Sequence, residues 1–497
     1  MKKIKFPTAH TILLLIAAFV AILTWVVPAG TYDTLMYNAD DDNFVVSSID
    51  STYTISATQK SLELLNVKIP LTNFTSGDIY KPINIPKTYQ QIEANPQGIV
   101  ELIMAPLKGI EATIDIILLV LIIGGLIGIV NATGAFEAGI SWLANTLKGK
   151  EFILIILVTS LIALGGTTFG LAEETIAFYP ILIPIFLAAK YDALVATACI
   201  YIGSTIGTMV STTNPFSTII ASNAAGINWT TGLNGRMLML LLGLIICLIY
   251  IIRYAQKVKK DPTKSIIYDQ YDEIANMFPV NLNSDIKLTT RLKLVLLVFG
   301  ACFVIMVYGV MKLEWWFMEM TSVFFVGALL IGFITKFKET EFVETFMKGA
   351  SELLSVAFII GIARGVTVLM DDGNISDTLL YYASNATDGM HKGLFANTLL
   401  FIYSGLSFFI PSSSGMAVLT MPIMSPLADG VGVGREIVVN AYLYGMGLFA
   451  FINPTGIILA SLAIVKVGFN KWLKFVLPLV LILTIVSMLV MTISVYV

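Results

Sequence analysis

Charge is scarce in this chain. Asp, Glu, Lys and Arg make up 13 % of its 497 residues, against about 25 % in an ordinary soluble domain. That scarcity argues against a soluble fold, and no nucleic-acid partner is expected. Histidine is rarer still. His10 and His391 stand alone, neither beside a second ligand type at metal spacing, so no metal centre is expected. Cysteine is confined to Cys199, Cys247 and Cys302, all inside apolar runs, which argues against disulfides and thiolate metal sites. No nucleophile–base pair or metal pattern marks an enzyme, and no cofactor is called for. The net charge of −3 carries little meaning, because in a membrane protein the placement of charge matters more than its sum.

What is abundant is apolar residue, 57 % of the chain, in separate runs of roughly 20 residues, each long enough to cross a bilayer as a helix. Spans are expected at 10–29, 113–132, 191–224, 236–254, 292–310, 316–336, 350–370, 436–466 and 472–495. The basic start Met1-Lys2-Lys3-Ile4-Lys5 precedes a first run too long for a signal peptide's h-region of roughly 7–15 residues, so that helix is read as retained. Two further apolar stretches, 151–188 and 394–428, read as re-entrant hairpins of two short arms. Their tips are Gly165-Gly166-Thr167-Thr168-Phe169-Gly170-Leu171-Ala172-Glu173-Glu174 and Pro411-Ser412-Ser413-Ser414-Gly415. Irregular backbone at membrane depth survives only where protein or a water-filled cavity satisfies it.

Basic residues orient the chain. With the N-terminus in the cytoplasm, Lys148 and Lys150, the loop lysines Lys257, Lys259, Lys260, Lys264 and Lys287, then Lys336, Lys338, Lys466, Lys471 and Lys474 all fall inside. Lys392 and Arg435 are minor exceptions. The expected organisation is a first transmembrane helix (1–29), an extracytoplasmic cap of strand and loop (30–112), the remainder of a first repeat (113–254), a cytoplasmic loop (255–291), a connector helix (292–315) and a second repeat (316–497). The class is an all-α polytopic protein of the inner membrane, with its C-terminus outside.

The repeat rests on recurring landmarks. Lys108-Gly109 and Glu111 return as Lys348-Gly349 and Glu352, Pro180 and Pro184 as Pro422 and Pro426, and Asn214-Pro215 as Asn453-Pro454, at a steady offset of about 240 residues. The threading gives the two units opposite orientations. Inverted repeats with discontinuous helices place a binding site at their interface, near the midplane.

Candidate site residues follow from that frame. Proline inside a span breaks the helix and frees backbone groups. Beside each break stand polar side chains that can satisfy the backbone or hold a ligand: Thr213 and Asn214 in the first, Asn453 and Thr455 in the second. The hairpin tips add Thr167, Thr168, Ser412, Ser413 and Ser414. Glu173 and Glu174 are carboxylates at membrane depth, where acids act as substrate partners or proton carriers; on a helix only one of two neighbours can face a site. Arg364, in mid-span, either holds a substrate carboxylate or pairs with an acid within the bundle.

The segment Gly170-Leu171-Ala172-Glu173-Glu174-Thr175-Ile176-Ala177-Phe178-Tyr179-Pro180 and the Asn-Pro motifs resemble the YfcC-like transporters. That family is grouped with the anaerobic C4-dicarboxylate carriers and the arginine/ornithine antiporters of the ion-transporter superfamily. The resemblance implies an elevator-type carrier that forms a homodimer through a scaffold, with hairpins and broken helices in a moving domain. Better-known relatives bind sodium and carboxylate at Ser-Asn-Thr tips. The tips here read Gly-Thr-Thr and Pro-Ser-Ser-Ser, leaving the coupling ion, sodium or proton, open. The expected function is secondary transport of a small molecule, with basic amino acids ahead of C4-dicarboxylates because a buried Glu pair suits a cationic group. A channel is disfavoured by the absence of a ring of repeated charges.

Overall fold

A computed structural model describes residues 7–77, 79–146, 150–278, 288–313, 315–387 and 389–496. Lys148, Lys287 and the basic start Met1–Lys5 lie outside the described residues.

Helix α1 (Ala9–Val26) leads into a cap built from β1 (Gly30–Thr31), β2 (Thr34–Asn38), β3 (Asn43–Ser47), β4 (Thr52–Ser56), α2 (Gln59–Leu64), α3 (Leu71–Thr75), β5 (Ile83–Asn84) and β6 (Gln90–Gln91). Its main sheet is antiparallel in the order β4-β3-β2-β5, and β1 pairs with β6. The acidic run Asp40–Asp42 is turn chemistry. Asn38 accepts from the Asp40 amide at 3.1 Å, and Asp42 takes a positive φ of 46°, a region that Asn and Asp tolerate. Leu35, Phe44 and Val46 then turn one face of the β2–β3 pair inward.

The helices that follow are α4 (Ile99–Glu111), α5 (Ile114–Ala132), α6 (Ala135–Thr146), α7 (Phe152–Phe169), α8 (Tyr179–Ala188), α9 (Ala193–Met209), α10 (Ile220–Ala224), α11 (Leu233–Lys260) and α12 (Tyr271–Met277). Beyond α13 (Thr290–Lys312) come α14 (Phe317–Thr335), α15 (Glu339–Glu352), α16 (Leu354–Asp372), α17 (Ser376–Asn385), α18 (Lys392–Phe409), α19 (Ser413–Val431), α20 (Arg435–Ala450), α21 (Ile458–Val465) and α22 (Phe469–Tyr496). Among the described residues, 8 helices are long and apolar enough to cross a membrane: α1, α5, α7, α11, α13, α14, α16 and α22. The chain is a multi-pass membrane protein.

Three expectations shift. Residues 99–111 are not part of the cap but form α4, which lies along α16. Glu101, Lys108 and Glu111 mask it in the sequence, yet Ala105 and Gly109 are buried and meet the backbone of Gly361 and Gly365. The hairpin arms are also longer than read. α7 and α18 have 18 residues each and α19 has 19, and Pro422 and Pro426 do not end α19. Finally, Gly165–Phe169 belong to α7. The chain turns only at Gly170, at φ +83° with the Asn214 side chain against it, where a Cβ would be both strained and crowded.

Close glycine contacts hold the bundle. Gly109 of α4 packs on Gly361 and Gly365 of α16, while Gly349 of α15 packs on Gly124 and Gly128 of α5. Small residues at such crossings let backbones approach where no water drives association. Gly203 and Gly207 of α9 lie against Thr159 and Ala163 of α7, so α7 and α9 run parallel and stop together. Gly445 of α20 lies in the same way against Leu400 and Ser404 of α18. The three cysteines are buried as free thiols.

Candidate functional site

Both helix breaks are stitched to the neighbouring hairpin. At the first, the amides of Thr212 and Thr213 donate to the Thr167 carbonyl at 3.0 and 3.1 Å. Thr167 Oγ1 donates to the Val210 carbonyl at 2.8 Å, and Thr213 Oγ1 to the Thr168 carbonyl at 3.1 Å. Thr168 Oγ1 folds back on the Leu164 carbonyl at 2.6 Å. Asn214 Oδ1 then accepts from the Phe216 amide at 2.8 Å, capping the turn that Pro215 opens. At the second, Asn453 Nδ2 donates to the Ser407 carbonyl at 2.9 Å. Its Oδ1 accepts from the Thr455 amide at 3.0 Å and hydroxyl at 2.8 Å, and Thr455 Oγ1 also reaches the Phe408 carbonyl at 3.1 Å. These bonds tie the broken segments to the ends of α7 and α18, while the carbonyls four residues before each proline, Ser211 and Ala450, take the Thr218 and Tyr201 hydroxyls at 3.1 and 2.8 Å, as backbone inside a membrane protein requires.

The two tips and two breaks meet at one cavity of about 420 Å³. Glu173 and Glu174 line it from the first hairpin and Asn214 from the first break. Ser412, Ser413 and Ser414 line it from the second hairpin, Asn453 and Thr455 from the second break, and Arg364 from α16. Thr167, Thr168 and Thr213 are not on its wall; the Thr167 and Thr213 hydroxyls are spent on the stitching and the Thr168 hydroxyl on its own helix. Both glutamates line the cavity from the first turn of a short 3-10 segment, Glu173–Phe178, that follows the irregular backbone at Gly170–Ala172. Glu174 gives one oxygen to the Ala172 amide at 3.1 Å.

Two arginines make an instructive contrast. Arg236, wholly buried at the start of α11, donates to the carbonyls of Thr231 at 3.1 Å and Trp229 and to Asn440 Oδ1 at 3.3 Å. It is a structural cation whose partners are all protein. Arg364 lines the cavity and, among the described residues, has neither a hydrogen bond nor a carboxylate within 4 Å. A guanidinium inside a membrane protein is costly unless something pairs with it, so Arg364 is a candidate partner for an anionic group in the cavity.

Several wall residues escape a sequence reading. Asp115, at the first turn of α5, adds a third carboxylate; a lone acid opening an apolar run was the available signal. Tyr442 lines the wall while its hydroxyl donates to the Ser413 carbonyl at 2.8 Å. Trp316 stacks edge-on to Phe216, with ring centroids 4.8 Å apart, and both face the cavity.

The family model for the C4-dicarboxylate anaerobic carriers matches residues 6–496. The chain belongs to that family. It is 43 % identical over 502 aligned positions to an uncharacterised protein of Haemophilus influenzae, covering 100 % of this chain and 98 % of that one. It is 30 % identical over 491 positions to YfcC of Escherichia coli K12, covering 94 % and 92 %; for YfcC, basic amino acid antiport is itself a proposed activity. Among solved structures it is similar to MtrF of Neisseria gonorrhoeae, described as illuminating a class of antimetabolite efflux pumps, at 14 % identity and a TM-score of 0.43, covering 99 % and 96 %. It is also similar to the Alcanivorax borkumensis transporter YdaH, at 12 % identity and a TM-score of 0.41, covering 98 % of each chain. The protein is a membrane transporter of the C4-dicarboxylate carrier and YfcC type.

Proposed function

We propose that the chain is a secondary active transporter that exchanges basic amino acids of the arginine and ornithine kind across the inner membrane. The observation that carries this reading is the cavity's charge. It sets three carboxylates, Glu173, Glu174 and Asp115, beside one guanidinium, Arg364, with no ion pair joining them among the described residues. A substrate with a carboxylate and a separate cationic group can satisfy both signs. A dianion would satisfy Arg364 but leave the acids facing like charge, which disfavours their ionised form.

The proposal takes the N-terminus as cytoplasmic and the C-terminus as extracytoplasmic, following the lysine placement. It takes the two halves as inverted repeats. The exchange of partners, α4 on α16 and α15 on α5, supports this, since helices at equivalent places in the repeat pack on each other's unit. The hairpins and broken helices form the moving part of an elevator, and a homodimer forms through the scaffold. Sodium or a proton is the coupling ion. Site roles go to Glu173, Glu174, Asn214, Ser412, Ser414 and Arg364.

The second reading, a C4-dicarboxylate carrier, is favoured by the family description and by Arg364 together with the serine-rich tip. Counterflow in liposomes separates the two. Vesicles loaded with arginine should draw in labelled ornithine, and vesicles loaded with succinate should not draw in labelled succinate. Succinate exchange without arginine exchange would sink the first reading in favour of the second.

A further inference from the structure

The serines of the second hairpin tip differ in how their protons are committed. Ser413 Oγ donates to the Phe216 carbonyl at 3.2 Å, so its proton is used. Ser412 Oγ accepts from the Gly415 amide at 3.2 Å, which leaves its proton free. Ser414 Oγ accepts from Lys81 Nζ at 3.0 Å. An ammonium has three donors and no acceptor, so the Ser414 oxygen must be the acceptor and its own O–H is left to point elsewhere. Ser414 lines the cavity and is only 6 % exposed.

Lys81 comes from the cap, 333 residues away in sequence. It is held firmly there. Pro82 follows it, and β5 follows that, with Ile83 paired to Leu35 and Asn84 to Thr34 of β2. Asn84 Nδ2 also donates to Asp377 Oδ1 at 2.9 Å, and the Tyr32 amide to Asp377 Oδ2 at 3.0 Å. Burial, and then the Arg364 charge, push the Lys81 ammonium below the ordinary lysine range. Among the described residues no carboxylate pairs with Lys81 or with Arg364 within 4 Å.

We propose that Lys81 is a positioning residue for substrate specificity: by donating to Ser414 it fixes and polarises that hydroxyl as a donor to the substrate's carboxylate, beside Arg364. This rests on the reading of the cavity as the substrate site and adds to it a residue from outside the repeats. The carboxylate end of the substrate lies against the second hairpin, and the cap takes part in recognising it. A hydrogen bond polarised by a charged neighbour is stronger than a neutral one, so the lysine raises the cavity's preference for ligands that keep their carboxylate.

The test is equilibrium binding to the purified full chain, with arginine, agmatine (arginine lacking its carboxylate) and succinate as probes. Lys81→Met should weaken arginine roughly tenfold and agmatine by less than about twofold. Lys81→Arg should restore most of the arginine affinity. Adding Lys81→Met to Ser414→Ala should cost nothing more, because the lysine acts through the hydroxyl. The double variant decides alone if agmatine binding proves too weak to measure. Parallel losses for arginine and agmatine, or additive losses in the double variant, overturn the role of Lys81 and leave the proposed substrate class standing. A wild-type chain that binds succinate and not arginine overturns that class. The Lys81→Met loss is then read on succinate, where anything under about twofold overturns the positioning role as well. Binding of neither probe overturns both.

Discussion

The two halves of the transporter close their helix breaks by the same device and then put different chemistry on it. Thr213 Oγ1 reaches the Thr168 carbonyl and Thr455 Oγ1 the Phe408 carbonyl, both at 3.1 Å. The asparagines part company. Asn453 uses its amide nitrogen and its oxygen on protein partners. Asn214 uses only its oxygen, and among the described residues its Nδ2 has no protein acceptor. The tips diverge further, with carboxylates in the first and hydroxyls in the second. The first half thus brings carboxylates to the cavity and the second brings hydroxyls and Arg364, over a backbone closed in a similar way on both sides.

The largest test of that division is at the charges. Arg364→Gln should cut arginine affinity about 10- to 150-fold, the worth of a charge-assisted hydrogen bond of roughly 1.5–3 kcal/mol. The yield of folded protein should hold, because no protein carboxylate is left unpaired. Collapse of the fold with binding intact in the surviving fraction would make Arg364 a lock like Arg236. Glu173→Gln should produce a loss of similar size for arginine and a gain for succinate. Glu174→Gln should do less, since one Glu174 oxygen serves the Ala172 amide.

The asparagine pair sharpens the comparison at a smaller scale. Asn453→Ala strands the Ser407 carbonyl and the Thr455 amide, and should cost about 1–3 kcal/mol of stability, read as a lowered melting temperature in detergent. Asn214→Ala should melt closer to wild type and show its loss in ligand binding instead. The reverse order would mean that the halves have been assigned the wrong way round. The smallest effect belongs to the shared stitch. Thr213→Val and Thr455→Val each remove a hydroxyl bond to a hairpin carbonyl, for about 0.5–1.5 kcal/mol, and the two losses should match. A clear mismatch in thermal unfolding would break the equivalence of the two breaks.

Much of this was legible in the sequence. Apolar run length marks the spans, and proline beside asparagine marks the breaks. What stayed hidden was the division of labour among hydroxyls. Thr167, Thr168 and Thr213 look as able to bind a ligand as Ser412 and Ser414, since a threonine at membrane depth must find some partner. Whether that partner is a carbonyl 3 Å away depends on α7 and α9 running parallel and ending together, a contact between segments some 45 residues apart. Both glutamates reach the cavity from an irregular tip, just past the turn at Gly170, which no periodicity announces. Lys81 was invisible for the same reason on a longer scale: it acts from a different layer of the protein.

The burial of all three thiols has a consequence for how this protein meets its surroundings. Cys199, Cys247 and Cys302 are the whole complement of the chain, and all sit in its interior. A thiol reacts through its exposed, ionised form, so oxidants and alkylating reagents on either side of the membrane find little to attack. A cysteine introduced at Asp41 in the cap or at Lys260 at the end of α11 would be the one reactive thiol in the molecule. An impermeant maleimide added to intact cells should label the first and spare the second.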